Sequence, residues 1–489
     1  MPNISLKINL GRYFDGDGEN RLLSTNMYPS FNQSDGTLSP TKARRTCGLA
    51  AFTTTVTGAY AGYATLNSDT TVLYMNVGLR LFRVPSGGGA PVDEGGAVNI
   101  IGSGWASMAY NPQEIMAVVK GGNGYFFDRS TTTTTAIADA TYLAILGGGP
   151  CVAVVYIGGY FVFASETEVF SASLYTVNKG RNFSVNDTLL PEYKQDQIRD
   201  LLVVDDLLWV IKQTTIEVYQ NTGEAGFPFN FVYAIELGGC VHGRAIAQGS
   251  SVYLIGRQND TPYGIYRITG RSITKISNDY IDMLLTFNSL DIDPFTQNQN
   301  QKILFMEHDG HRFIGVYLSA QDRTFVYDET ESSRVGTPVW HQRISPNSNL
   351  GYFTKDTINA YNKNLALGSI TGFTGVAEIQ ESTVTEFTLD VLRYFSTQYL
   401  ENGIDKVSVK QLQIKAHSDS GNVYLGFTVD RGLTYSILNS VTLDSPIIKW
   451  SRLGTHDTVG FVISNSEDLT TPDPSSSDLT VYGAWATVE

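Results

Sequence analysis

The chain has 489 residues, 34 Lys and Arg against 48 Asp and Glu for a formal net charge of -14, and 42% hydrophobic residues with only 17% charged. That length calls for several domains or one large closed architecture, and the acidity argues against a protein that wraps DNA by neutralising its phosphates. Cys47, Cys151 and Cys240 are odd in number, far apart and without a CxxC, so they read as free thiols rather than a disulfide framework or zinc site.

The N-terminus, Met1-Pro-Asn-Ile-Ser-Leu-Lys-Ile, alternates polar and apolar residues and lacks the long apolar core of a secretory signal. The most apolar run, Tyr142 to Phe163, is broken by Gly147, Gly148, Gly149, Pro150, Gly158 and Gly159, well short of a bilayer span. A soluble protein made in the cytoplasm is the expectation.

Residues 1–50 alternate turn-like clusters, Asp15-Gly-Asp-Gly, Asn32-Gln-Ser-Asp-Gly and Ser39-Pro, with no periodic apolar face. They are expected to form an extended arm. Lys7, Arg12, Arg21, Lys42, Arg44 and Arg45 stand against Asp15, Asp17, Glu19 and Asp35, a local charge of +2 that suits docking onto an acidic neighbour. Asp15-Gly-Asp-Gly-Glu-Asn resembles a calcium loop, but its twelfth position is Asn26 where a bidentate Glu is needed, so a turn is the simpler reading.

Residues 51–380 carry a column of aromatic residues at one point of seven short hairpin patterns: Phe82, Phe127, Phe170, Tyr219, Tyr266, Tyr327 and Tyr361. Successive members lie 45, 43, 49, 47, 61 and 34 residues apart, the last two steps bracketing an insertion and a short unit. A four-stranded propeller blade needs roughly 40 to 50 residues, so an all-β propeller of about seven blades is predicted. Near-continuous apolar runs such as Leu207-Leu-Trp-Val-Ile suit strands sandwiched between neighbouring blades.

Little in these hairpins carries chemistry. Asp205-Asp206 lies between apolar runs and reads as a turn rather than a paired acid. His308-Asp-Gly-His311 could bring two imidazoles together, yet no third ligand is evident, and a solvated turn is expected. Gly121-Gly-Asn-Gly joins two strands and does not open a helix, so it is no phosphate loop. No catalytic residue, cofactor or metal is assigned.

Residues 381–489 change to longer alternating segments, Val407-Ser-Val-Lys-Gln-Leu-Gln-Ile and Val423-Tyr-Leu-Gly-Phe-Thr-Val among them, which predicts a C-terminal β-sandwich. Within it Thr428-Val-Asp-Arg-Gly-Leu-Thr-Tyr-Ser resembles a degenerate Asp-box hairpin, whose Asp and Gly build a turn and catalyse nothing.

Three segments in order look like one family. Ser24-Thr-Asn-Met-Tyr-Pro followed by Arg44-Arg-Thr-Cys-Gly-Leu opens the chain, Arg199 to Gly223 with Thr215-Ile-Glu-Val-Tyr supplies a central strand-turn-strand, and Lys449-Trp-Ser-Arg-Leu-Gly, Val459-Gly-Phe-Val-Ile and Tyr482-Gly-Ala-Trp close it. Together they resemble the packaged-DNA stabilization protein, or tail hub, of short-tailed bacteriophages, from about residue 20 to the C-terminus. Arg44-Arg-Thr-Cys-Gly departs from the family's usual Pro before Gly, and no Lys or Arg follows Arg452.

The resemblance implies a structural protein of the virion tail, made in the host cytoplasm. It would form a homo-oligomeric ring, a hexamer, below the portal and its adaptor, with a tail needle or plug beneath and a tailspike or fibre as a further neighbour. Packaged DNA would be retained by the ring and pass through it without specific binding. Asn26, Met27, Tyr28, Pro29, Arg44 and Arg45 are the candidate assembly residues. The alternatives are a glycan-binding or glycan-cleaving tail propeller and a cellular scaffold that binds peptides at a propeller axis.

Overall fold

A computed structural model describes residues 3–6, 24–31, 40–56, 64–68, 71–95, 100, 106–119, 122–191, 193–238, 243–258, 261–289, 301–318, 322–346, 351–397, 399–402, 405–417, 422–430, 434–436, 438–442, 447–467, 469 and 479–488. The loop at 15–19, Gly121 and Cys240 lie outside them. Cys47 and Cys151 are buried free thiols.

Seven sheets built around four-strand antiparallel meanders follow one another among the described residues, the sixth carrying in addition the short strand Gly243–Arg244 parallel to its first strand. Their first strands are Ala64–Ser68, Ala106–Tyr110, Ala153–Ile157, Ile198–Val204, Ile246–Gln248, Gln301–His308 and Thr354–Ala360. Each first strand lies against the first strand of the next sheet, and that of the seventh returns to that of the first. The circle is therefore closed, with these strands innermost, and the molecule is a seven-bladed propeller.

Strand sequence and packing agree. Glu114–Val119, in the middle of blade 2, is buried along its whole length, as a strand covered by a blade on either face must be. Phe82, Phe127, Phe170, Tyr219, Tyr266 and Tyr327 all fall on the third strand of their blades, and all six are buried. The long step from Tyr266 to Tyr327 accommodates a helix, Asp279–Ser289, between blades 5 and 6.

Tyr361 departs from the expectation. It occupies the turn between the first two strands of blade 7, at φ 55°, whereas the third strand is Phe373–Gln380. The apparent short unit thus came from a mismatched aromatic. Tyr361 instead joins the last blade to the first: its hydroxyl donates to the Val84 carbonyl at 2.7 Å and accepts from the Leu73 amide at 2.8 Å.

The N-terminal segment is extended, but its described residues do not project. Gly48–Ala51 pairs antiparallel with Phe373–Gln380 as the outer strand of blade 7, so the ring is closed by chain from both ends of the propeller sequence. Asn3–Leu6, Met27–Phe31 and Pro40–Arg45 join a six-stranded sheet with Val407–His417, Ile447–His456 and Thr480–Val488.

A five-stranded sheet of Tyr394–Ser396, Leu400–Glu401, Asn422–Thr428, Asn439–Thr442 and Thr458–Ser464 completes a C-terminal sandwich. One apolar core, with Leu412, Ile414, Val423, Phe461 and Ile463 at its centre, also buries Leu6, Met27 and Ala43. The described strands among residues 1–51 are thereby structural parts of both propeller and sandwich.

Candidate functional site

The densest polar cluster lies where blade 6, the strand Met27–Phe31 and the entry to the sandwich meet. The first hairpin of blade 6, Gln301–His308 with His311–Leu318, closes in a two-residue turn at Asp309 (φ 52°) and Gly310 (φ 74°), left-handed conformations that Asp tolerates and Gly adopts freely. His308 faces His311 across the last rung. Both imidazoles are buried, so the solvated turn expected here is confined to Asp309 and Gly310.

Tyr28 buries them. Its ring stands edge-on to His311 and Phe313 at centroid distances of 4.9 and 5.2 Å, and its hydroxyl donates to Asp309 Oδ2 at 2.9 Å. Burial, reinforced by the Asp309 charge, drives the Tyr28 pKa far above the usual phenol range, so the hydroxyl stays a donor. His311 Nδ1 meets Asp328 Oδ2 at 2.8 Å, and Asp328 Oδ1 also accepts from the Glu331 amide to cap helix Glu329–Val335.

Arg343 is fully buried beside them, donating to His308 Nε2 at 2.6 Å and to the Tyr352 hydroxyl at 3.1 Å. Burial and the Arg343 charge hold the His308 and His341 pKa values well below the imidazole range, so both rings are neutral.

Cys47, His308 and Asp309 place potential metal-ligand atoms within 4.8 Å of one another. The surroundings oppose a cation. A guanidinium donating into His308 Nε2 puts the ring proton on Nδ1 and a full positive charge beside the position, whereas a metal-bound imidazole offers its second nitrogen to an acceptor. Burial also pushes the Cys47 thiol up to about 12. The arrangement is a structural polar core.

Beside it, residues 24–26 are threaded between propeller and sandwich. The Asn26 amide donates to the Gln342 carbonyl, while the Thr25 amide donates to the Tyr394 carbonyl and the Thr25 carbonyl accepts from the Tyr394 amide. Asn26, at φ 52°, spends its side chain entirely: Nδ2 donates to the carbonyls of Ile344 (2.8 Å) and Leu392 (2.9 Å), and Oδ1 accepts from the Ile344 amide at 3.0 Å.

Arg45 donates to the carbonyls of Thr383 and Glu381 in the linker that enters the sandwich. Glu386 in the same linker is buried against Ser345, whose hydroxyl donates to it at 2.5 Å. Burial pushes its pKa up to about 7, against the pull of Ser345, Arg343 and Arg393.

The expected assembly residues are thus separated. Asn26, Met27, Tyr28 and Pro29 are buried inside the chain, where they hold its parts together. Arg44 and Arg45 remain partly exposed. His341, Arg343, Glu386 and Arg393 complete the junction without any motif; the available sequence signal was a His and an Arg in the short apolar-flanked run Val339-Trp-His-Gln-Arg.

Other acidic pairs are structural. Asp205 and Asp206 form an exposed hairpin turn at φ 50° and 59°. The Asp430 carboxylate takes hydrogen bonds from the Thr428 hydroxyl and from the Thr434 amide and hydroxyl, which outweigh its desolvation and hold its pKa low. Buried Lys212 is neutralised by Glu217 at 2.6 Å and Asp196 at 2.8 Å.

Among known proteins, the family model described as bacteriophage P22 Gp10, beta-propeller, matches residues 15–376, about three quarters of the chain. Among curated protein sequences none matches significantly. Solved structures with similar backbones include the N-terminal domain of Nup159, at 8% identity and TM-score 0.39, covering 73% of this chain and 98% of that one. The Myceliophteria thermophila Cps50 (Swd1) β-propeller domain follows at 9% and 0.40, covering 67% and 99%. An exo-β-1,3-galactanase from Phanerochaete chrysosporium gives 10% and 0.32, covering 80% and 97%. At these scores none of the three bears on function.

Proposed function

The chain belongs to the bacteriophage stabilisation family of P22 Gp10-type β-propellers, and on that premise we propose that it is a tail hub subunit that retains packaged DNA and passes it at ejection. The family match across the propeller carries this reading. Several copies, six in the arrangement the family resemblance implies, surround the DNA path below the portal and adaptor, with a needle or plug beneath. The protein acts as architecture and catalyses nothing.

Two physical features support it. A ring under internal pressure must not come apart at the subunit level, and this chain ties its ends together: one segment near the N-terminus threads the junction, joins the sandwich core and then closes blade 7. Six copies would also carry a formal charge of -84, six times -14. Carboxylates within about 8 Å of the duplex repel it at physiological salt, so DNA slides rather than sticks. The rival glycan reading draws on the 27 tyrosines and on the Asp430 turn, whose carboxylate accepts hydrogen bonds from Thr428 and Thr434 as a structural turn does.

The test is genome retention. Particles assembled without this protein should package DNA and then lose it to added DNase, and the purified chain should restore protection. Particles that keep DNase-resistant genome without it would refute the proposal.

A further inference from the structure

The six-stranded sheet of the sandwich is unlike the rest of the chain in charge. Its strands Asn3–Leu6, Met27–Phe31, Pro40–Arg45, Val407–His417, Ile447–His456 and Thr480–Val488 contain seven Lys or Arg and no Asp or Glu. Taking those seven from the chain total of 34 leaves 27 basic residues against 48 acidic ones elsewhere. One sheet therefore holds a concentrated positive charge on a strongly negative molecule.

Strand alternation decides where the charge points. Ala43, Ile414, Ile448 and Val481 face the sandwich core, so their neighbours Lys42, Lys415, Lys449 and Tyr482 stand on the opposite face. Lys415, Lys449, Arg452 and Tyr482 are exposed. Across the sheet Gln413 lies between Lys449 and Trp485. Lys42 and Lys415 converge on the Tyr482 ring, 4.7 and 6.0 Å from its centroid.

Two ammonium groups share one aromatic ring there, and none of Lys42, Arg44, Lys415, Lys449 or Arg452 has an ion-pair partner among the described residues. Like charges gathered in this way repel, and an opposing negative surface relieves them. Burial and the Arg44 charge already hold the Lys42 ammonium below the usual lysine range, against the weaker pull of Asp309.

We infer that the outer face of this six-stranded sheet, centred on Lys42, Lys415, Lys449 and Tyr482, docks onto the acidic surface of a second copy of this chain. The inference rests on the ring reading above and names the positive half of its subunit interface. Charge complementarity selects the occupant: outside this sheet each copy carries 48 acidic against 27 basic residues, so a neighbouring copy offers the face a surface of opposite sign. A positive patch meeting a different, negative patch is a head-to-tail contact, the kind that closes into rings.

The experiment reverses the face in the full-length protein with Lys42→Glu, Lys415→Glu and Lys449→Glu together, and uses the milder set K42Q, K415Q and K449Q as a second variant. Sedimentation velocity across a concentration series at low and physiological salt reads self-association, circular dichroism reads folding, and anisotropy with a fluorescent 30-base-pair duplex reads DNA binding. The expected result is salt-sensitive wild-type assembly, a self-association Kd raised at least tenfold in the Glu variant and several-fold in the Gln variant, and no DNA binding by any of them. Wild-type assembly that folded Glu and Gln variants reproduce overturns this surface and leaves the ring reading standing. A wild type that remains monomeric overturns both. DNA binding that the Glu variant loses overturns the inference in favour of a nucleic-acid surface.

Discussion

Asn26 is the sharpest probe of how propeller and sandwich are joined. Asn26→Gly keeps the left-handed backbone and removes three side-chain hydrogen bonds, to the Ile344 carbonyl and amide and to the Leu392 carbonyl. At about 1 kcal/mol net for each, the loss is roughly 3 kcal/mol, because the abandoned groups are buried. Asn26→Ala should cost about 1 kcal/mol more, since a Cβ without a compensating polar group disfavours φ near 52°. Asn359→Ala, at an exposed strand position, serves as control and should stay within about 0.5 kcal/mol. Urea unfolding followed by tryptophan fluorescence reads the midpoints, and limited proteolysis of residues 381–393 reads the joint itself. The order Ala, then Gly, then control, with faster cleavage in the linker for the first two, is expected. A fully folded Asn26→Ala protein with wild-type midpoint and unchanged cleavage would refute the reasoning.

Four further outcomes follow from the geometry. A Cβ at Gly48 would sit 2.3 Å from the Thr385 carbonyl oxygen, so Gly48→Ala should loosen the closing strand of blade 7 and cost about 1–3 kcal/mol, read as faster hydrogen exchange in residues 373–380. Tyr361→Phe removes the hydroxyl's hydrogen bonds to Val84 and Leu73 of blade 1 and should lower stability by about 2 kcal/mol in thermal unfolding. Glu386 has a folded pKa raised to about 7 from 4.5, so its contribution is present below pH 4.5 and lost as pH rises through 7. Glu386→Gln should flatten that decline, by up to about 3 kcal/mol between pH 5 and 8, and equal pH slopes for the two proteins would contradict it. Removing residues 1–51 should abolish the native propeller, not merely its assembly, and a truncated chain with wild-type circular dichroism and thermal midpoint would show otherwise.

The propeller was legible because its signal is local. An aromatic on the third strand of each blade recurs at blade length, and six of the seven chosen positions fall there. Tyr361 misled because blade 7 has Phe373 and Val376 in its third strand, and only strand pairing tells a turn tyrosine from a strand one. The roles of residues 24–51 are nonlocal. Gly48–Ala51 finds its partner more than 300 residues away, and a four-residue strand leaves no periodic mark. The His308 turn could be read from Asp-Gly, but the burial of its imidazoles depends on Tyr28, 281 residues from Asp309 in sequence. The charge of the first fifty residues was visible, whereas its concentration on one sheet face emerges only when Lys42 is brought beside Lys415 and Tyr482.

The most direct measurement is a cryo-electron microscopy reconstruction of the intact phage particle. The account predicts density for a seven-bladed propeller with its sandwich, repeated around the tail axis between portal and tail tip and enclosing the DNA path. A chain absent from the particle, or present only on peripheral fibres away from that path, would contradict it.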